Sequence, residues 1–293
     1  MWQQIEQAIS QATGEPFKAE SSSAVAGGCI NQAVCLQGDG RHYFVKLNRA
    51  DRLDMFAAEA AGLEAIRASR SLRAPQPIAW GTDHDNSWLV LEYISFSQHR
   101  AGTSSLLGEQ LAAMHRYTAD SFGWKRDNTI GSSPQPNSRT EDWPAFLKEQ
   151  RLGFQLALAI GNHAPASLID RGHRLLELLP VFFSDYRPLP SLLHGDLWGG
   201  NWEADDNGCP VIFDPAVYFG DREADIAMTE LFGGFDDSFY RAYEAAWPLD
   251  TGYRVRKDLY NLYHILNHFN LFGGGYAQQA AGLIASLLAH TSR

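Results

Sequence analysis

Three cysteines in 293 residues, Cys29, Cys35 and Cys209, are too few and too scattered for a disulfide framework or a thiolate zinc site. Basic residues are in the minority: 24 Lys and Arg against 34 Asp and Glu leave a formal charge of −10. That balance excludes an extended nucleic-acid surface, but it leaves room for a nucleotide held by local cations, backbone donors and a metal. No window approaches the roughly eighteen apolar residues of a membrane span. The opening Met1-Trp2-Gln3-Gln4-Ile5-Glu6 has neither the basic region nor the apolar run of a secretory signal. Internal repeats and low-complexity tracts are missing too. These absences lead us to expect a cytoplasmic protein, monomeric or a weak homodimer, with no membrane and no nucleic-acid partner.

What is present is an ordinary globular composition, 45% hydrophobic and 20% charged, in two stretches of different character. Trp2 to Ala12 is amphipathic, with Trp2, Ile5 and Ile9 on one face. Short strands follow at Ser22–Val25, Ala33–Leu36 and Tyr43–Leu47, the last two joined by a Gly38-Asp39-Gly40 turn. Leu53 to Ala68 is rich in Ala, Leu and Glu and reads as helix, closed by Pro75 and Pro77. Trp88 to Ile94 reads as a buried strand. Beyond it, helices are expected over Ser104–Tyr117, Trp143–Ile160 and Ala166–Phe183, with three or four more between Asp214 and Ala289. The polar stretch Phe122–Asp142 is too long for an idle connector. The expected fold is α+β: a small β-rich N-terminal lobe, residues 1–95, and a larger, mostly helical C-terminal lobe, residues 96–293, with a nucleotide cleft between them.

The chemistry concentrates in His194-Gly-Asp-Leu-Trp-Gly-Gly-Asn201, followed thirteen residues later by Asp214 at the end of a short apolar strand. Phosphoryl transfer to a hydroxyl needs a carboxylate to accept the alcohol's proton and oxygen ligands to hold Mg²⁺ against ATP phosphates. Asp196 fits the first role, and Asn201 with Asp214 the second. An HxD triplet alone arises by chance. The compound pattern is specific, because a hairpin of this length brings the two metal ligands together.

Upstream residues supply a nucleotide side. Gly27 and Gly28 lie between two candidate strands, where a missing Cβ lets backbone amides approach phosphate; an ordinary hairpin turn is the competing reading. Lys46 interrupts an apolar strand, so it is either a buried ammonium in need of a partner or an edge lysine facing solvent. Glu59 is the favoured partner and Glu64 the alternative. Glu92 and Ile94, at the lobe junction, are placed to offer backbone groups to adenine. Cys29 is a small apolar filler or an oxidisable thiol.

Several motifs in one order carry a resemblance. They are Gly27-Gly28-Cys29-Ile30-Asn31, Phe122-Gly-Trp-Lys-Arg-Asp-Asn-Thr-Ile-Gly131, the His194–Asn201 loop, Asp214-Pro-Ala-Val-Tyr-Phe-Gly-Asp-Arg-Glu-Ala-Asp-Ile-Ala227, and Asn267-His-Phe-Asn-Leu-Phe272. Together they span nearly the whole chain, which resembles the fructosamine kinase (ketosamine-3-kinase) family. That family lies within the aminoglycoside-phosphotransferase and choline-kinase-like clan of the two-lobed protein-kinase-like fold. The loop alone marks only the clan. The resemblance implies ATP- and Mg²⁺-dependent phosphorylation of the sugar 3-hydroxyl of ketosamines, on small amines or on glycated protein, as deglycation repair. It implies Asp196 as base, Asn201 and Asp214 as metal ligands, Lys46 and Glu59 as the nucleotide-positioning pair, and Asp225 as a buried brace of the catalytic loop. Trp198 stacks on the sugar or packs its own loop, and His268 is a weaker candidate for sugar contact. Phosphorylation of an aminoglycoside or choline-like alcohol, or ATP binding without catalysis, are the competing functions. Asp-Pro-Ala at 214–216 replaces the Asp-Phe-Gly of protein kinases, which disfavours a protein kinase.

Overall fold

The computed structural model describes residues 1–25 and 30–291. Its N-terminal part runs α1 (Trp2–Thr13), β1 (Ser21–Ala24), β2 (Gln32–Gly38), β3 (Arg41–Arg49), α2 (Leu53–Ala68), β4 (Pro77–Thr82) and β5 (Asn86–Glu92). The strands form one antiparallel sheet in the order β1-β2-β3-β5-β4. Gly38 pairs with Arg41, leaving a two-residue turn in which Asp39 and Gly40 take φ of 51° and 70°. Asp-Gly is the sequence that tolerates this left-handed turn, so the hairpin is set locally. Strand β4 was not expected. Pro77 opens it at the sheet edge, where its missing N–H costs no ladder bond.

Strand alternation sorts the sheet's two faces. Tyr43, Val45 and Leu47 join Ile5 and Ile9 of α1, Phe17, Trp88 and Val90 in one apolar cluster. Phe44 and Lys46 therefore point the other way, toward α2, whose Phe56, Leu63 and Ile66 pack with Leu89 and Leu91. This places Lys46 on the inner face.

The rest of the chain is mostly helical. It comprises β6 (Phe96–Ser97), α3 (Thr103–His115), β7 (Asn128–Ile130), β8 (Ser133–Gln135), α4 (Trp143–Phe146), α5 (Gly153–Gly161), α6 (Ala166–Leu178), β9 (Ser191–Leu193), β10 (Trp202–Asp205), β11 (Pro210–Ile212), β12 (Tyr218–Gly220), α7 (Glu223–Leu231), α8 (Asp237–Ala246), α9 (Tyr253–Phe272) and α10 (Tyr276–His290). The polar stretch after Phe122 is a hairpin, β7–β8. The single helix expected over 143–160 is instead interrupted by a widened π turn, Leu147–Leu152. Gly153 permits that turn: its N–H reaches the Lys148 carbonyl, and a Cβ there would lie 2.4 Å from the same oxygen. The larger apolar cluster contains α2, β5 and C-terminal residues alike, so the change of secondary structure near residue 95 is crossed by one core. No helix among the described residues is long and apolar enough to cross a membrane.

Candidate active site

The catalytic loop leaves β9 and returns as β10, and its shape depends on Gly195. That residue sits at φ 82°, and a Cβ on it would fall 2.1 Å from the Ala216 carbonyl oxygen. Asp225, in the first turn of α7, accepts hydrogen bonds from the His194 amide at 2.7 Å and the Gly195 amide at 2.9 Å. His115 Nε2 adds a third at 3.1 Å. Burial opposes ionisation of Asp225, but these donors outweigh it and hold the carboxyl below its usual range. Burial likewise keeps His115 neutral despite the neighbouring carboxylate. With Nε2 donating, its Nδ1 accepts from the Tyr243 hydroxyl at 2.7 Å, and Arg222 donates to that hydroxyl at 3.0 Å.

His194 has a role that the motif alone did not reveal. Its Nε2 donates to the Phe213 carbonyl at 2.9 Å, so Nδ1 is the free lone pair and accepts the Asp196 amide at 3.3 Å. One neutral imidazole, its pKa lowered by burial, thereby joins the backbone of Asp196 to the residue before Asp214. Burial, with the charges of Asp214 and Asp225, pushes the Asp196 carboxyl up to about 7 against the opposing hydrogen bond of Asn201. Asn201 Nδ2 donates to the Asp196 carbonyl at 2.8 Å, which leaves Oδ1 as its outward oxygen.

The β10–β11 hairpin pairs Trp202 with Ile212, and the Phe213 amide bonds the Asn201 carbonyl at 3.0 Å. It therefore sets Asn201 and Asp214 side by side. Asp214 adopts φ 57°, a left-handed conformation that aspartate tolerates better than most residues. Opposite, Lys46 Nζ lies 2.6 Å from Glu59 and 2.5 Å from Asp214. Burial works against the ammonium, but the two carboxylates outweigh it and hold its pKa well above the ordinary lysine range. Lys46 is thus the buried cation, and its partner is Glu59; Glu64 is exposed.

The remaining expected residues are placed as follows. Ile94 is buried, and among the described residues neither its amide nor its carbonyl has a protein partner. Glu92 is more committed: its amide donates to the Gln76 carbonyl at 2.8 Å and its carboxylate pairs with Arg73 at 2.9 Å. The Trp198 indole rests over Gly200, where a Cβ would lie 2.3 Å from the ring, yet 41% of the residue is exposed. His268 donates from Nδ1 to the His264 carbonyl and packs on Phe232 at 4.8 Å. Its link to the catalytic loop runs through the Phe232–Gly234 turn, whose Gly233 and Gly234 abut Gly199. Gly27, Gly28 and Cys29 lie outside the described residues.

Asp214 and Asn201 offer two hard oxygen donors, and no group of three His, Cys, Asp or Glu side chains among the described residues is arranged to hold a metal ion. Such a sparse set fits Mg²⁺, which keeps waters and shares phosphate oxygens, better than it fits a permanently caged metal.

Comparison with known proteins decides the family: a sequence profile of fructosamine kinase matches residues 1–290. The chain belongs to the fructosamine kinase family. As a fructosamine kinase it is an ATP-dependent phosphotransferase. It is 50% identical to the probable ketoamine kinase of Synechocystis sp., over 98% of this chain and 97% of that protein. It is 43% identical to the chloroplastic protein-ribulosamine 3-kinase of Arabidopsis thaliana, over 94% of this chain and 85% of that one. A crystal structure from Haemophilus somnus, provisionally named fructosamine-3-kinase, superposes with a TM-score of 0.91 at 29% identity, covering 98% of both chains. An aminoglycoside phosphotransferase solved with ADP and hygromycin B gives 0.62 at 14% identity, covering 97% of this fructosamine kinase and 98% of that chain, and shares the fold.

Proposed function

We propose that this fructosamine kinase transfers the γ-phosphoryl group of ATP to the 3-hydroxyl of a ketosamine's sugar, in the repair of glycated amines. The observation that carries the reading is the convergence of Asp196, Asn201, Asp214 and the Lys46–Glu59 pair on one site, in a chain 43% identical to a ribulosamine 3-kinase over 94% of its length. Residues 1–95 and 96–293 act as two lobes around the nucleotide. Adenine meets the Ile94 amide and carbonyl and the Glu92 carbonyl, and Gly27 and Gly28 are assigned to nucleotide binding. Lys46, held on the inner sheet face by Glu59, turns from Asp214 to the phosphates when ATP enters. Asp214 and the Asn201 Oδ1 hold Mg²⁺, which neutralises charge on the phosphate oxygens.

Asp196 takes the proton of the sugar hydroxyl as its oxygen bonds to the γ-phosphorus and the bond to ADP breaks. A carboxyl poised near neutrality suits that transfer. Trp198 presents its exposed indole to the sugar's apolar face, and His268 borders the same region through Phe232.

Turnover with ATP and Mg²⁺ on fructosyl-lysine, ribulosyl-lysine and a set of aminoglycosides tests the assignment. Ketosamines are expected to have the higher kcat/KM, and Trp198→Ala to raise KM for the ketosamine more than for ATP. Better turnover of aminoglycosides, or ketosamine kinetics untouched by Trp198→Ala, would overturn the substrate reading.

A further inference from the structure

The mechanism above makes no use of Phe122–Gln135, although this stretch holds the most distinctive motif outside the catalytic loop. Its amide side chains end on the backbone just past Asp214. Asn128 Nδ2 donates to the Val217 carbonyl at 2.8 Å. Gln135 Nε2 donates to the Ala216 carbonyl at 3.0 Å and to Asn128 Oδ1 at 2.8 Å. Backbone carbonyls only accept, so both side-chain amides must present their nitrogens here. Their oxygens are fixed in turn: Tyr263 donates to Gln135 Oε1 at 2.6 Å, and Asn137 Nδ2 to Asn128 Oδ1 at 2.8 Å.

Arg151 closes the network by donating to Asn137 Oδ1 at 2.7 Å. It is buried, and among the described residues no carboxylate pairs with it. Its guanidinium lies instead 4.0 Å from the Tyr218 ring and 4.6 Å from that of Phe146. The same two residues are held from other sides as well. The Ala216 amide donates to the His194 carbonyl at 2.8 Å. Gly62 of α2, the helix that carries Glu59, lets Val217 approach so closely that a Cβ would sit 3.1 Å from it.

Asp214 itself has left-handed backbone geometry outside any strand, so its carboxylate direction depends on what anchors the following residues. We propose that Asn128 and Gln135 are positioning residues, which aim Asp214 at the metal by holding the Val217 and Ala216 carbonyls. The proposal rests on Asp214 being the metal ligand. It gives the β7–β8 hairpin a function: a strap across the metal-binding segment, tied to α2 by the Arg126 hydrogen bond to the Asp54 carbonyl at 3.3 Å.

The test is the Mg²⁺ dependence of Asn128→Ala and Gln135→Ala, read both as activity and as calorimetric ATP affinity with and without Mg²⁺. Losing a buried hydrogen bond should raise the Mg²⁺ concentration for half-maximal activity about tenfold. The Mg²⁺-dependent gain in ATP affinity should shrink by the same factor, with metal-free ATP affinity and ketosamine KM little changed. Leu168→Ala, a core truncation in α6, controls for lost stability and should leave the Mg²⁺ requirement alone. Tyr263→Phe removes only the hydroxyl that orients Gln135. It keeps the test open should an alanine variant not fold, and should shift the requirement in the same direction by about threefold. An unshifted requirement in folded variants, or an equal shift in Leu168→Ala, overturns the proposal. Asp214→Ala is run in parallel by calorimetry: an undiminished Mg²⁺-dependent gain in ATP affinity there sinks the ligand assignment itself, whereas a diminished gain beside wild-type-like strap variants sinks only the strap.

Discussion

At the scale of single residues, two carboxylates of the same type are set to different tasks by what surrounds them. Asp196 is half-buried with other anions nearby and is pushed up to about 7, whereas Asp225 collects three donors and stays ionised. Asp196→Asn keeps the shape of the loop and removes the proton acceptor, so kcat should fall by at least about 10²–10⁴-fold while ATP still binds. Near-normal turnover would show that Asp196 is not the base. Asp214 and Asn201 differ in charge, and an ionised carboxylate binds a hard cation better than a neutral amide does. Asp214→Ala should therefore abolish activity at any practical Mg²⁺ concentration, and excess metal should partly restore Asn201→Ala. Equal and complete rescue of both would sink that ranking.

At the scale of elements, the catalytic loop is a crossing point of several segments. The β9–β10 connection, the β11 exit and the first turn of α7 meet through Asp225, His194 and the Gly195–Ala216 contact. Gly195→Ala would combine a strained left-handed alanine with a collision on backbone. Such strain costs about 1–3 kcal/mol even before the clash. A clear loss of denaturant stability is expected, with turnover falling more than 10-fold as Asp196 shifts. A variant of wild-type stability and rate would mean that the loop is held elsewhere.

At the scale of the whole molecule, stability should depend on acidity through buried histidines. Burial pulls His264 down to about 3, and His115 and His194 are lowered for the same reason. Unfolded histidine titrates near 6.5, so between about 6.5 and 3 the unfolded chain takes protons that the folded one refuses. Stability is complete above that window and is lost as the pH falls through it. Urea unfolding from pH 7 to pH 4 should show the decline, and His264→Asn should flatten it by up to about 1.4 kcal/mol per pH unit. An unchanged slope in that variant would contradict the burial argument.

The sequence by itself determined what depends on neighbours along the chain. The Asp39-Gly40 hairpin, helix α2 over Leu53–Ala68, and the spacing that pairs Asn201 with Asp214 all follow from local backbone preference and loop length. The order of the motifs that marks the family is read directly along the chain. Only the tertiary structure decided which partners meet across distance. Periodicity shows which face of an element is apolar, not what lies opposite it. Helical pattern favoured Glu59 but kept Glu64 as an alternative until the inner face of β3 met α2. His115 and Arg151 show only as polar residues at buried positions of helical runs, a faint signal in sequence, until Asp225 and the Asn137 network come to face them. The hairpin inside Phe122–Asp142 likewise acquires its meaning from the carbonyls of Ala216 and Val217, more than eighty residues away in sequence. Each of these buried polar groups needs a partner that the chain supplies only by folding.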